Sequence, residues 1–293
     1  MTSPDHPQHS TRRDFLRGVG GVMAAGAIAP AVGTGTAYTT YPIALGDRVL
    51  GARQQAGHFA VAARAGATGL EVDLGRLGSG PAMENRLLDP AVRRQFAEAA
   101  AEANMTICSF ALGAFTHQSF ASHPNAEAYV GDLLYVMKQF DVRVGVLPFG
   151  QAADLNDGFT RQQCAARLKS LASQIESSGA VLALDAPVDA PVDARLMRTI
   201  LDDIGSPAIT ACVTAGPSLD AAGAFALLGG ERVAQIRVQH GAPDLAALRQ
   251  RADAAGWSGW LVLDRHAMTA DDLTENCAAA VRDVRDGFSV TIA

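Results

Sequence analysis

The chain predicts a (β/α)8 barrel, and three observations carry that expectation. Eight short apolar runs alternate with eight helical stretches through residues 38–293. The runs are near-continuously apolar rather than alternating in polarity, which suits parallel strands buried on both faces. A doubly wound open sheet would place a G-x-G-x-x-G turn after its first strand, and no such turn is there. Barrels of roughly 200–250 residues commonly form one domain, and no proline- or serine-rich linker divides this stretch.

The first strand, 43–45, is the short run Ile43-Ala44-Leu45, and helix 59–65 follows it. Strand 69–74 reads Gly69-Leu70-Glu71-Val72-Asp73-Leu74. Asp89-Pro90 then opens helix 90–104, a capping acid before a proline suited to the first turn. Strand 106–111 leads through a long loop to helix 125–140, opened by Pro124-Asn125. Strand 143–147 precedes helix 160–178, which Gly179 closes. Strand 181–184 precedes helix 192–204, and strand 209–213 precedes helix 218–228. Strand 235–239 is followed by helix 244–255, closed by Gly256, and strand 259–263 by helix 269–285.

Residues 1–37 lie outside this pattern. Ser10-Thr11-Arg12-Arg13-Asp14-Phe15-Leu16-Arg17 precedes a glycine- and alanine-rich run from Gly18 to Ala29. Charged region, weakly apolar region and small-residue cleavage site follow in the order of a secretory signal, and the paired arginines point to the twin-arginine (Tat) route, with the Tat export machinery as partner. Cleavage after Ala29-Pro30-Ala31 or after Thr36-Ala37 fits the small-residue rule. A transmembrane helix needs about 20 strongly apolar residues, so no stable membrane insertion is expected. The protein is therefore expected to work in the periplasm or outside the cell, with 38–293 as its folded domain.

Without Arg12, Arg13, Arg17, Asp5 and Asp14, the 24 basic and 30 acidic residues fall to 21 and 28. That acidic balance argues against nucleic acid, whose phosphates require a basic surface. Cys108, Cys164, Cys212 and Cys277 show no C-x-x-C pairing and are expected as buried free thiols, although export would permit a disulfide. The two lysines, Lys138 and Lys169, fall in helical stretches. A Schiff-base mechanism, which needs a shielded strand-end lysine, is thus excluded. Phosphate loops, nucleophile elbows and His-Glu-x-x-His are absent as well.

In such a barrel the chemistry sits at the C-terminal strand ends. There the chain places Glu71 and Asp73, Asp185, Thr214, Arg237 with His240, and Asp264. Glu71 and Asp73 are two apart, so both face the same side of their strand. Two acids turned to the barrel axis are costly to bury without partners. They are candidate contacts for a polar substrate, with a salt bridge from Glu71 to Arg76 or Arg237 as the alternative. His117 and His123 fall in the loop after strand three, where a lid would lie. Ala186-Pro187-Val188-Asp189 repeats as Ala190-Pro191-Val192-Asp193 and reads as a stiff connector or a pocket rim.

The segments GLEVDLGRLG (69–78), DPAVRRQFAEAAAEANM (89–105), TICSFALG (106–113), LKSLASQIESSGAVLALD (168–185) and AGWSGWLVLD (255–264) resemble, in order and spacing, the sugar phosphate isomerase/epimerase family of xylose isomerase-like barrels. The resemblance implies a small carbohydrate substrate, proton abstraction next to a carbonyl, and reprotonation. It also admits lyase or hydratase chemistry on oxidised sugars. It implies a divalent metal held by acids from strands five, six and eight and a histidine from strand seven. Carried over, these positions are Asp185, Thr214, Arg237 and Asp264. Asp185 and Asp264 remain as candidate metal ligands, while Thr214 offers a neutral hydroxyl and Arg237 a permanent cation. Pro217 stands where the strand-six motif may carry a histidine, and His240 is a candidate displaced ligand or substrate contact.

A divalent metal is therefore disfavoured. Arg237 is expected to stand in for it, holding an enediolate or carboxylate, with Asp185 or Asp264 as base. Arginine beside an aspartate opposes the raised pKa that a base needs. The other expectation is a non-catalytic barrel that binds a sugar or a partner protein, with Asp–Arg–Asp as a structural cluster. Phosphodiesterase relatives that cleave abasic DNA with clustered metals are excluded by charge, export and thin ligation.

Overall fold

The computed structural model describes residues 41–75, 84–150, 155–186, 192–239, 241–263 and 273–288. Its strands are β1 (Ile43–Gly46), β2 (Gly69–Asp73), β3 (Thr106–Ala111), β4 (Val144–Pro148), β5 (Val181–Asp185), β6 (Ile209–Ala215), β7 (Val233–Val238) and β8 (Trp260–Leu263). They close in chain order into one parallel barrel, and β8 returns onto β1 with Ile43 opposite Leu261. The helices are α1 (His58–Arg64), α2 (Pro90–Glu102), α3 (Ala126–Gln139), α4 (Gly158–Ser177), α5 (Ala194–Ile204), α6 (Ala221–Leu228), α7 (Leu245–Ala254) and α8 (Leu273–Gly287). This is the (β/α)8 architecture that the alternation of runs predicts.

Strand periodicity separates two cores. Leu70 and Val72 of β2, Leu182 and Leu184 of β5, and Ile209 and Val213 of β6 pack outward with Phe59, Phe96, Leu133, Leu168 and Phe225. Each such side chain contributes about 1.5–3 kcal/mol of burial free energy. The alternate positions turn inward, and most are small. Ala111, Val146, Ala183 and Cys212 form one inner cluster, and Ala44, Cys108, Trp260 and Val262 another. Small inward residues leave the lumen to a few long polar side chains at the strand ends.

Helix starts differ from the sequence expectation where an aspartate caps. Asp157 accepts the Thr160 N–H at 2.8 Å, Asp193 that of Arg195 at 2.7 Å and Asp220 that of Gly223 at 2.7 Å. Each cap satisfies an amide that the helix itself leaves unbonded. The predicted starts at 160, 192 and 218 accordingly become 158, 194 and 221. Asp89 caps α2 as expected, accepting from Ala91 at 2.7 Å. Gly179 and Gly256 stand after α4 and α7 at φ +71° and +63°, the left-handed stop that glycine favours. Short 3-10 turns at Asp47–Leu50 and Gly113–Thr116 follow β1 and β3; the sequence periodicity gives no sign of them.

The N-terminal face of the barrel is closed by Tyr41, Trp257 and Phe288, whose rings meet at 5.4–5.8 Å. Tyr41 donates to Asp253 at 2.6 Å, and Trp257 Nε1 to the Val233 carbonyl at 2.8 Å. Arg249 ties α7 to the Phe288 carbonyl. All four cysteines are buried thiols outside any disulfide, and burial pushes the Cys164 thiol up to about 11. No helix among the described residues is long and apolar enough to cross a membrane.

His58 opens α1 in a buried position, and that burial lowers its pKa from the usual histidine range. The native state therefore holds it neutral, while the unfolded chain takes up a proton near pH 6.5. Its contribution to stability is complete above that pH and is lost as pH falls below it. Urea midpoints measured at pH 7.5 and 5.5 are expected to fall with acid, and to fall less in His58→Phe.

Candidate functional site

β7 turns Arg237 into the lumen near its C-terminal end, where β6 pairs Thr214 with it in register. The arginine crosses the lumen to β2. Its Nη1 donates to Glu71 Oε1 at 3.0 Å, and its Nη2 reaches Oε1 and Oε2, each at 3.0 Å. Its Nε lies 3.0 Å from Asp185 Oδ2 on β5. Ser109 of β3 donates its hydroxyl to Glu71 Oε2 at 2.7 Å. Three strands thus converge on one guanidinium, with a fourth steadying the glutamate.

Glu71 and Arg237 are both buried, and Asp185 is 6% exposed. A buried charge is tolerable only when paired and hydrogen-bonded, and this two-pronged geometry is the strong form of the pair. Inner thiols respond to it. Burial first, then the nearby Glu71 carboxylate, push the Cys108 thiol up to about 12. The Cys212 thiol is raised as well, by burial and then by Asp185.

Asp73 occupies a separate corner of the mouth. Its Oδ2 receives Arg53 Nε at 3.0 Å and Arg48 Nε at 3.4 Å, both from the segment after β1. Its Oδ1 accepts the Gly113 N–H at 2.9 Å. A Cβ at Gly113 would lie 1.9 Å from that oxygen, so only glycine permits the approach. Behind it sits buried Asp47, accepting the N–H groups of Gln54 at 2.9 Å and Asp73 at 3.1 Å. Burial, and then the Asp73 carboxylate, hold the Asp47 carboxyl well above the usual range. The Gln54 amide completes the clamp, donating to Asp73 O and Glu84 O and accepting from Arg86 N.

The segment between β3 and α3 is packed rather than open. Phe115 meets Phe120 edge-on at 5.1 Å, and His123 stacks beside Tyr129 at 5.2 Å. Arg167 of α4 donates to the Phe120 and His123 carbonyls. His123 Nδ1 accepts the Asn125 N–H at 3.1 Å, opening α3. His117 is exposed. Among the described residues, neither histidine bonds to Glu71, Asp73 or Asp185.

The fold therefore brings together four expected residues, Glu71, Asp185, Thr214 and Arg237. It gives Glu71 a salt bridge to Arg237, and it places Asp73 in its own arginine corner. Asp264, His240 and Arg76 lie outside the described residues. Ser109, Asp47, Arg48, Arg53 and Gln54 escaped the sequence reading. Extending the strand-end rule to strands one and three would have reached Asp47 and Ser109.

The described residues of the mouth do not by themselves fit a divalent cation. A dication needs several oxygen or nitrogen ligands at about 2.0–2.6 Å. Here Glu71 and Asp185 are both committed to a guanidinium at 3.0 Å, whose fixed positive charge repels a metal in the same space. No group of three or more His, Cys, Asp or Glu among the described residues is arranged to hold one.

The chain matches no protein-family model and no curated protein. Solved structures do match. L-ribulose 3-epimerase superposes with a TM-score of 0.65 at 15% identity, over 85% of this chain and 94% of that one. The 3-keto-D-glucoside 4-epimerase from E. coli gives 0.64 at 12% identity, over 85% and 100%. A xylose isomerase-like TIM barrel/4-hydroxyphenylpyruvate dioxygenase fusion gives 0.61 at 16%; the match takes 83% of this chain but 42% of the fusion. At these identities the likeness establishes a shared fold.

Proposed function

We propose that this is an exported carbohydrate-active barrel of the sugar isomerase/epimerase type, working with a fixed guanidinium where a metal would otherwise stand. The Glu71–Arg237–Asp185 bridge at the strand ends is the observation that carries the reading. Chemistry in (β/α)8 barrels is built at those ends, and the barrels that superpose on this one include two sugar epimerases. Proton abstraction next to a carbonyl leaves an enediolate, and Arg237 supplies the positive field that favours it. We assign the proton transfer to Asp185, with Asp264, which follows β8 in sequence, as its counterpart.

A second reading, sugar binding without turnover, is favoured by one feature. Three of the Arg237 contacts go to Glu71, leaving the guanidinium strongly committed within the protein. Solvent exchange separates the two. Ketopentoses and 3-keto-glucosides incubated with the purified protein in D2O are expected to gain deuterium next to the carbonyl, by NMR, with or without EDTA. Asp185→Asn should slow that exchange by about 10² or more. Sugar binding with no exchange would replace the enzyme reading by the binding one. Export rests on Arg12-Arg13, and changing both to lysine should leave the chain in the cytoplasmic fraction.

A further inference from the structure

Gln239 stands just beyond Val238, where β7 ends, and its backbone is fixed at both polar groups. Its N–H donates to the Ala215 carbonyl at 2.9 Å, which carries the β6–β7 ladder one residue further. Its carbonyl accepts the Ala242 N–H at 3.1 Å. Gln239 follows Arg237 by two positions, so strand alternation turns the two side chains to the same side. The residue is 7% exposed, yet its side-chain amide has no bonding partner within the chain. A buried amide left unpaired is costly, and an apolar side chain would pack there without that cost.

The surroundings keep a place for this amide. A Cβ at Gly216, just past the end of β6, would lie 2.6 Å from Gln239 Oε1 and 3.2 Å from its Cδ. Thr214 lies two residues earlier, level with Arg237 in the β6–β7 register. Its half-buried hydroxyl also has no bonding partner within the chain. Gln239 further lines a cavity of about 430 Å³, walled by the start of α7 and by α8, so open space adjoins it. The β6–β7 corner therefore presents an uncharged amide and hydroxyl beside a guanidinium committed to Glu71 and Asp185. An amide both donates and accepts, and a hydroxyl group on a ligand does the same.

We infer that Gln239 is a specificity-determining residue of this site, its amide reading one hydroxyl group of the bound sugar. The inference rests on the carbohydrate reading and deepens it. A sugar lacking that hydroxyl leaves the amide unpaired again, and a site built to bond a hydroxyl penalises the analogue without it.

Isothermal titration of the purified chain with D-xylulose and its 1-, 3-, 4- and 5-deoxy forms tests it. One deoxy form should bind about tenfold or more weakly than D-xylulose. In Gln239→Met, which nearly keeps the volume and removes the amide, D-xylulose should weaken by about tenfold while that deoxy form does not, so that the two become alike. Gly216→Ala should act in the same direction, because its methyl group pushes the amide aside while every polar group is retained. That variant should fold, since what it displaces is the end of a flexible side chain. Discrimination among the deoxy forms that survives in both variants overturns the role of Gln239 and leaves the carbohydrate reading standing. Equal binding of all five sugars to the unaltered chain does the same. Failure of all five to bind overturns both.

Discussion

Replacing Arg237 by methionine is expected to destabilise the protein by about 3–5 kcal/mol, because two carboxylates lose their shared partner inside the barrel. Glu71 bears most of that cost. It is buried, and Arg237 supplies three of its four described hydrogen bonds, the Ser109 hydroxyl supplying the other. Asp185, slightly exposed at the mouth, is closer to water and suffers less. The double variant Glu71→Leu/Arg237→Met should recover about half of the loss, since it removes the orphaned charge together with its partner. Chemical denaturation of the two single variants and the double one completes the cycle. A double variant as unstable as the sum of the singles would mean that the bridge is not the coupled unit described.

Gly150→Ala should be damaging for a different reason. A Cβ at Gly150 would stand 1.6 Å from the Thr116 carbonyl oxygen, and backbone cannot swing aside as a side chain would. Gly150 also donates its N–H to the Phe115 carbonyl at 3.2 Å, so relief of the clash would break the seam between the β4 end and the turn after β3. A loss of about 3 kcal/mol is expected, at the upper end of overpacking costs. The same shift would move Thr116 away from Arg48. Thermal denaturation measures the loss of stability. Gly131→Ala is the matched control, because a Cβ there meets nothing within 4 Å and alanine favours the helix.

The sequence made the architecture legible because parallel strands buried on both faces leave continuous apolar runs. Period two was enough to turn Glu71 and Asp73 inward, and Leu70 and Val72 outward. It did not tell Glu71 which residue waits across the lumen. That partner stands 166 positions later, and only barrel closure brings the two together. The arginine corner was hidden for a local reason. Asp47, Arg48 and Arg53 lie in a 3-10 turn and the irregular chain after it, where no period marks an inward side. Asp193 and Asp220 illustrate a milder failure. Each falls inside its expected helix, 192–204 or 218–228, whereas its side chain caps the helix start.

The Tyr41–Trp257–Phe288 aromatic closure has a practical consequence. The first and last described residues of the barrel meet on the face opposite the mouth, as chain ends of a compact domain often do. A short linker from 288 to 41 would give a circular permutant without touching the strand ends that carry Asp185 and Arg237. For the same reason, a tag or surface tether joined ahead of Tyr41 attaches at the base and leaves the mouth facing solution. Immobilised protein should keep the ligand affinity it shows when free.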